Sequence, residues 1–417
     1  MQSRVFKIGV WCLYEWASSA FPIIVTTFIF ATYFTTKIAP NEITGTYLWA
    51  NAVALAGIII AFLSPLFGAI ADRSGFHKRW LFFFTWLCII STSLLWFAYP
   101  KASAIPLTLT CLVIGTIGLE MALVFYNAFL PQLAPPHYLG RISGWGWGAG
   151  YMGGIVALMI TLFVFVQTKI AWIDTQQAEH IRLSGPFVAL WYAVFSLPFF
   201  IFIPEMSSSR QRIKKAIFAG WKDLLATLKR LPREKNILRY LIAHMVYTDG
   251  LNTLFAFGGI YAAGTYHLDF TQILIFGITM NIAAGTGAIG LAWLDDYLGS
   301  KPTILLSLIC LMLAGVPILF LHDKYLFWGF AMLLCLFVGP TQAASRSLMA
   351  RLIPEKNMQA EMFGLYALSG KVTAFIGPWL LGWATLAFQS QRVGVATIFI
   401  FFLVGALLLL GVKSRVD

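Results

Sequence analysis

GAIADRSGFHKRW, residues 68–80, and GAIGLAWLDDYLGSKP, residues 287–302, decide the fold. Each closes an apolar run, turns at Asp-x-x-Gly, meets a base and enters the next apolar run. The first contains Asp72, Gly75 and Lys78, the second Asp296, Gly299 and Lys301, and the two aspartates are 224 residues apart. A polar loop that recurs between greasy segments points to a duplicated set of membrane helices.

Working outward, apolar runs near 20 residues recur along the chain, each long enough to cross a hydrocarbon core of ~30 Å. We expect spans at about 9–36, 46–71, 79–99, 105–130, 141–168 and 186–204, then at about 237–264, 271–294, 302–321, 325–350, 361–388 and 393–412. The 417 residues are 59% hydrophobic and only 11% charged, whereas a soluble domain carries about 25% charged residues. The expected fold is an all-α membrane protein with twelve transmembrane helices in two pseudo-symmetric six-helix halves. The first half is 1–204, a cytoplasmic linker occupies 205–236, and the second half is 237–417.

Other marks repeat in the same order. NAFLPQLAPP (127–136) and SRSLMARLIPE (345–355) align through Leu133-x-Pro135 and Leu352-x-Pro354, which places Asn127 over Arg346. Gly144 and Gly150 match Gly364 and Gly370. YEWASSAF (14–21) slides onto YTDGLNTLF (247–255), stacking Glu15 on Asp249 and Phe21 on Phe255. Parallel halves of this kind are a transporter architecture with its substrate site near the midplane.

Orientation follows from lysine and arginine. With the N-terminus cytoplasmic, cytoplasmic segments hold 22 of these residues and the opposite face 6 (Lys37, Lys101, Lys169, Arg182, Lys324 and Arg392). That bias sets both termini in the cytoplasm. The net charge of +12 then reads as loops facing an anionic leaflet, not as a nucleic-acid surface. The linker opens on MSSSRQRIKK and continues at helical spacing. Ile213, Ile217, Trp221, Leu224, Leu225 and Leu228 share a face, and Lys214, Lys215, Lys222 and Lys229 fill much of the rest. This describes an amphipathic basic helix at the membrane interface, or a solvated helical linker.

The five cysteines (Cys12, Cys88, Cys111, Cys310, Cys335) lie in apolar runs with no CxxC pair, so they read as small buried hydrophobes without disulfide or metal. The first apolar run is too long for a signal peptide and reads as a retained helix. No N-x-[ST] sequon occurs, which favours a bacterial protein and an inner-membrane location. HExxH, GxSxG and Walker A motifs are absent. Of six histidines only His244 falls within a span. We therefore expect no enzyme and no cofactor.

Several of these stretches resemble the major facilitator superfamily. GAIADRSGFHKRW is similar to its loop between helices 2 and 3. More narrowly, YEWASSAF, the 125–154 stretch FYNAFLPQLAPPHYLGRISGWGWGAGYMGG, YTDGLNTLFAFGGIYA (247–262) and SRSLMARLIPEKNMQAEMFGLYALSGK (345–371) resemble the branch containing the vacuolar amino-acid effluxers of autophagy. The resemblance runs from about residue 14 to 378. It implies alternating access, a cavity lined by helices 1, 4, 7 and 10, and amino-acid export as a substrate class. This chain has Glu15 where that branch usually has aspartate.

Ionisable groups at membrane depth cost at least about 2.5 kcal/mol each on insertion scales, so each needs a reason. Asp249 lies ~18 Å into its helix at 1.5 Å per residue. Low-dielectric surroundings favour the protonated form of a carboxyl, which suits proton coupling, and a structural ion pair is the competing reading. Glu15 and Glu120 carry the same pair of readings. Lys371, ~15 Å into its helix, would bind a substrate carboxylate or phosphate, or neutralise an acid. Arg346 and Asn127 read as gate or substrate residues. Asn252 and Asn281 would hydrogen-bond substrate or bridge helices. Trp147, in the glycine-rich SGWGWGAGYMGG, would pack helices or stack on substrate. Asp72, Arg73, Arg79 and Asp296 would form a latch that exists in only one access state.

Both signs of charge in one site suit a zwitterion. The expected function is secondary active transport of a small polar solute without ATP, an amino acid or similar zwitterion first, with protons as the coupling ion. An organic-anion or sugar-phosphate carrier is the alternative, motivated by Lys371 and Arg346, and a multidrug exporter comes third. Expected partners are the small-molecule substrate, protons and membrane lipids, with no nucleic acid and a monomeric chain.

Overall fold

The computed structural model describes residues 3–166, 174–206, 213–268 and 270–413. Lys169, Arg210, Arg212 and Arg415, four of the bases used to set the orientation, lie outside the described residues. The described chain is helical throughout, and eleven of its helices are long and apolar enough to cross a bilayer. Spans 1 to 6 are Arg4–Ile38, Glu42–Ser74, His77–Phe97, Ala102–Leu133, Pro136–Val166 and Glu179–Phe202. Span 8 contains Ile275–Leu298, and spans 9 to 12 are Ser300–Ile318, Lys324–Leu352, Gln359–Phe388 and Gln391–Leu410.

Span 7, Lys235–Tyr266, is 32 residues long, about 48 Å at 1.5 Å per residue. Its length suffices to cross; Asp249, Asn252 and their polar neighbours keep it below the apolarity of the others. Most helices run several residues past the apolar runs because their polar ends leave the hydrocarbon.

Three of the irregular spans have a proline close to the irregularity. Span 1 is α-helical over Arg4–Ser18 and π-helical over Phe21–Phe28, with Pro22 at the start of the wide turn. Proline lacks the N–H that would bond four residues back and crowds that carbonyl, so the helix widens. Span 4 is interrupted at Phe129, beside Pro131. Span 11 is two helices, Gln359–Lys371 and Ile376–Phe388. Pro378 cannot donate to residue 374, so the break falls in the preceding turn.

The chain forms two compact units. The first is 1–63, 75–126 and 149–210; the second is 64–74, 127–148 and 211–417. In the first, span 6 packs on spans 1 and 3; in the second, span 12 packs on spans 7 and 9. These are the same pairings, six spans apart. The second unit also takes the ends of spans 2 and 4 and the start of span 5.

Two crossings in this second unit have no clearance. A Cβ on Gly364 would overlap the Ser64 carbonyl, and one on Gly144 would overlap that of Ala288. Residues 64 and 288 differ by the same 224 as the two aspartates, and 144 and 364 by 220. The turn glycines obey the register too, with φ of 68° at Gly75 and 93° at Gly299, conformations that glycine adopts without steric cost.

The linker helix is Ile213–Arg230. Its apolar face is covered only along one edge. Leu224 is buried with Ala216 and Gly220, while Ile217, Trp221, Leu225 and Leu228 are exposed.

Gly144→Val and Gly364→Val should each destabilise the fold by about 1–3 kcal/mol, the usual cost of overpacking. Thermal unfolding in detergent would report it as a lower midpoint. An unchanged midpoint in both variants would refute close packing at the crossings.

Candidate functional site

The repeated loops build the same device twice. Asp72 accepts the N–H groups of Ala360 (3.1 Å) and Glu361 (2.8 Å), in the first turn of span 11. Asp296 accepts those of Gly140 (2.8 Å) and Arg141 (3.2 Å), in the first turn of span 5. Each aspartate caps the helix that the duplication assigns to it. The first turn of a helix presents unsatisfied donors and partial positive charge, so a nearly buried carboxylate finds there both its hydrogen bonds and its counter-charge.

The bases complete the pattern at helix C-termini. Lys78 Nζ donates to the Ile203 carbonyl at the end of span 6 (2.6 Å), and Lys301 Nζ to Leu410 (2.8 Å) and Val412 (2.6 Å) at the end of span 12. Cations stabilise the negative end of a helix dipole.

Further bonds tie the cluster around Asp72 and Asp296 in the second unit. Arg141 Nε reaches Asp296 Oδ2 at 2.7 Å. Arg351 lies 3.3 Å from Asp295 and 3.6 Å from Asp296. Arg73 grips Asp223 of the linker helix with both its Nε and Nη2, the latter at 2.8 Å. Gln132 bonds Gln359 at 3.2 Å. Arg79, expected in the same latch, is exposed and lies over the Phe76 ring at 4.4 Å. It does not join the bonds around Asp72.

Arg346 is 2% exposed. Its Nε and Nη2 donate to Ser143 Oγ (2.9 Å) and O (2.6 Å), its Nη1 to Asn127 Oδ1 (3.2 Å), and its guanidinium lies 5.6 Å from the Trp147 ring. The two residues that the duplication superposes, Asn127 and Arg346, are bonded to each other.

Asp249 is also 2% exposed. Its Oδ2 accepts the Gly377 N–H at 3.2 Å, in the first turn of the second half of span 11. Its Oδ1 is buried with no hydrogen-bond partner. Lys371, half-buried, is the last residue of the first half-helix. The break therefore carries a cation at one helix C-terminus and a carboxylate at the next N-terminus, the signs both dipoles favour.

In the first unit Glu15 accepts a hydrogen bond from Tyr126 at 2.8 Å. Tyr126 is stacked on Trp11 at 4.5 Å and on Tyr14 at 4.9 Å. Tyr14 in turn bonds Thr85 (2.7 Å) and Tyr192 (2.8 Å). Glu120 is half-buried within span 4, and Asn252 is exposed. Asn281 donates to Gly277 of its own helix at 2.8 Å. Neither asparagine is drawn into a cluster. Among the described residues no group of three or more His, Cys, Asp or Glu could hold a metal.

Sequence reasoning missed Tyr126, Ser143, Asp223 and Asp295. Asp295, 2% exposed, accepts from Ser300 at 2.7 Å and from Ser347. Its signal was the Asp-Asp pair beside a turn glycine. Ser143 and Tyr126 had none, since both act through partners distant in sequence.

The family described as vacuole effluxer Atg22 like matches residues 5–415. A Bacillus subtilis protein described as an uncharacterised MFS-type transporter, YxiO, is 28% identical over 405 residues, 96% of this chain and 93% of that protein. Autophagy-related protein 22-2 of Aspergillus clavatus is 24% identical over 278 residues, 60% of this chain and 44% of that protein, so this chain matches under half of the fungal protein's length. Among solved structures, the transporter FucP in its outward conformation superposes with a TM-score of 0.78 at 13% identity, over 99% of this chain and 100% of that one. The proton:xylose symporter XylE gives 0.77 at 14% identity, over 98% and 96%.

Asp72→Asn and Asp296→Asn each keep an acceptor but lose the charge at a helix start, a loss of about 1–2 kcal/mol. A cysteine at Ser143 should then react several-fold faster with a water-soluble maleimide in either variant. Unchanged labelling in both would deny the aspartates a part in closing this end of the bundle.

Proposed function

As a member of the vacuole effluxer Atg22-like family, the chain is a solute transporter of the major facilitator type and not an enzyme, and we propose that its solute is an amino acid or similar zwitterion moved by alternating access with proton coupling. In this reading the halves 1–204 and 237–417 rock against each other in a bacterial inner membrane, with both termini cytoplasmic.

The observation that carries the reading is the break in span 11. Asp249 Oδ1, buried and without a hydrogen-bond partner, is an acceptor waiting for a proton or for a substrate ammonium. Lys371, at the opposite end of the break, supplies a cation for a carboxylate. An amino acid presents both groups, and a monoanion presents only one. The sugar-phosphate alternative leaned on Arg346 as well, and that guanidinium is engaged with Ser143 and Asn127. The Asp72 and Asp296 clusters act as the gate, since their bonds join segments that must separate when this end opens.

Asp249→Asn still accepts the Gly377 N–H and should fold, with its melting midpoint lowered by no more than the loss of one charge at a helix start, about 1–2 kcal/mol. Uptake of amino acids into proteoliposomes under a pH gradient should fall about tenfold or more, the loss of a charge-assisted contact of ~1.5–3 kcal/mol. Lys371→Ala should weaken apparent affinity by a similar factor. In a thermal-shift screen amino acids should raise the midpoint, because a ligand that binds only the folded state stabilises it. Stabilisation by phosphate esters alone, or wild-type uptake in both variants, would sink the assignment.

A further inference from the structure

The linker helix Ile213–Arg230 has three sectors rather than two. Ala216, Gly220, Leu224 and Thr227 are buried. Gly220 sits so close to the end of span 2 that a Cβ there would lie 2.9 Å from the Ile70 backbone. Asp223, at the edge of this sector, holds Arg73.

A second sector carries Ile217, Phe218, Trp221, Leu225 and Leu228, which are 42–77% exposed. At 3.6 residues per turn these five side chains fill an arc of about 100°. The third sector is a row of exposed lysines seven apart, Lys215, Lys222 and Lys229. It adjoins the apolar arc on the side away from the protein.

A solvated linker would not present five large apolar side chains to water. Among the described residues nothing covers this arc, and the helix uses a different sector against the protein. We propose that this helix docks on the anionic leaflet of the bilayer the chain crosses, with Phe218, Trp221 and Leu225 among the acyl chains and the lysine row on the headgroups. The inference goes beyond solute transport and does not rest on it.

One observation and two physical arguments favour this occupant. The helix ends at Arg230, five residues before Lys235 begins span 7, so its end lies within about 17 Å of the start of a spanning helix even if the connection is fully extended. The bulky apolar arc flanked by cations is the pattern of helices that lie in the interface plane. Each lysine beside an anionic leaflet gains attraction that a neutral leaflet does not supply.

The test uses the full chain in a cysteine-free background, reconstituted in nanodiscs, with the environment-sensitive fluorophore NBD at Leu225→Cys. Ala226→Cys, exposed but outside the apolar arc, is the control. In phosphatidylglycerol-containing discs, the probe at 225 should be several-fold less accessible to iodide than the probe at 226. It should also be quenched by doxyl-labelled lipid. Replacing Lys215, Lys222 and Lys229 by Gln, or the lipid by phosphatidylcholine, should cut that protection several-fold. Equal iodide access at 225 and 226 would overturn the proposal. So would protection that is indifferent to lipid charge and to the lysines. Protection without doxyl quenching, accompanied by cross-linking of two copies through 225, would replace the leaflet with a second copy of the chain.

Discussion

A carboxylate seated on the first turn of a helix is the interaction on which the rest depends. Asp72, Asp296 and Asp249 each accept main-chain N–H groups there. In lipid no water can satisfy exposed donors, so a spanning segment may start, stop or break only where protein groups complete the backbone. Span 11 starts on Asp72, breaks after Lys371 and starts again on Asp249. Removing those charges would leave two helix starts and one helix end uncompensated at low dielectric, where such groups are costly.

The duplication sets a common frame that the two halves use differently. Glu15 and Asp249 are equivalent in sequence, but Glu15 takes a phenolic O–H from Tyr126 within a stack of aromatic rings, whereas Asp249 caps a broken helix and keeps one oxygen unbonded. The two halves also break at different places. Span 1 widens into a π-turn after Glu15, and span 11 parts opposite Asp249. Symmetric positions thus acquire one buttressed acid and one acid with capacity to spare.

Much of this was legible in the residues. Apolar length located the helices to within a few residues, and the Asp-x-x-Gly loops gave the duplication, its register and the two aspartates that carry the caps. Hydropathy reports how a segment partitions, not how its backbone is bonded, so the break after Lys371 was invisible although Pro378 was in view. Asp295 escaped because its neighbour matched the repeat better. Arg79 was included for its proximity in sequence, yet the helix turns it outward onto Phe76. The linker helix showed its periodicity but not its three sectors, because a helical wheel cannot say which sector another segment will cover, and Leu224 went to the covered one.

The caps have a consequence for genetics. The cap bonds of Asp72 and Asp296 run to main-chain amides of residues 360, 361, 140 and 141, and no codon change rewrites an amide. A charge-swap cannot rebuild those cap bonds, although Asp296 also pairs with the Arg141 side chain, which a codon change can alter. Revertants of a lost aspartate would have to act elsewhere, by loosening the competing conformation. Comparison of many such sequences would show the acid as one side of each cap bond, with no matching side chain required of the amide it meets.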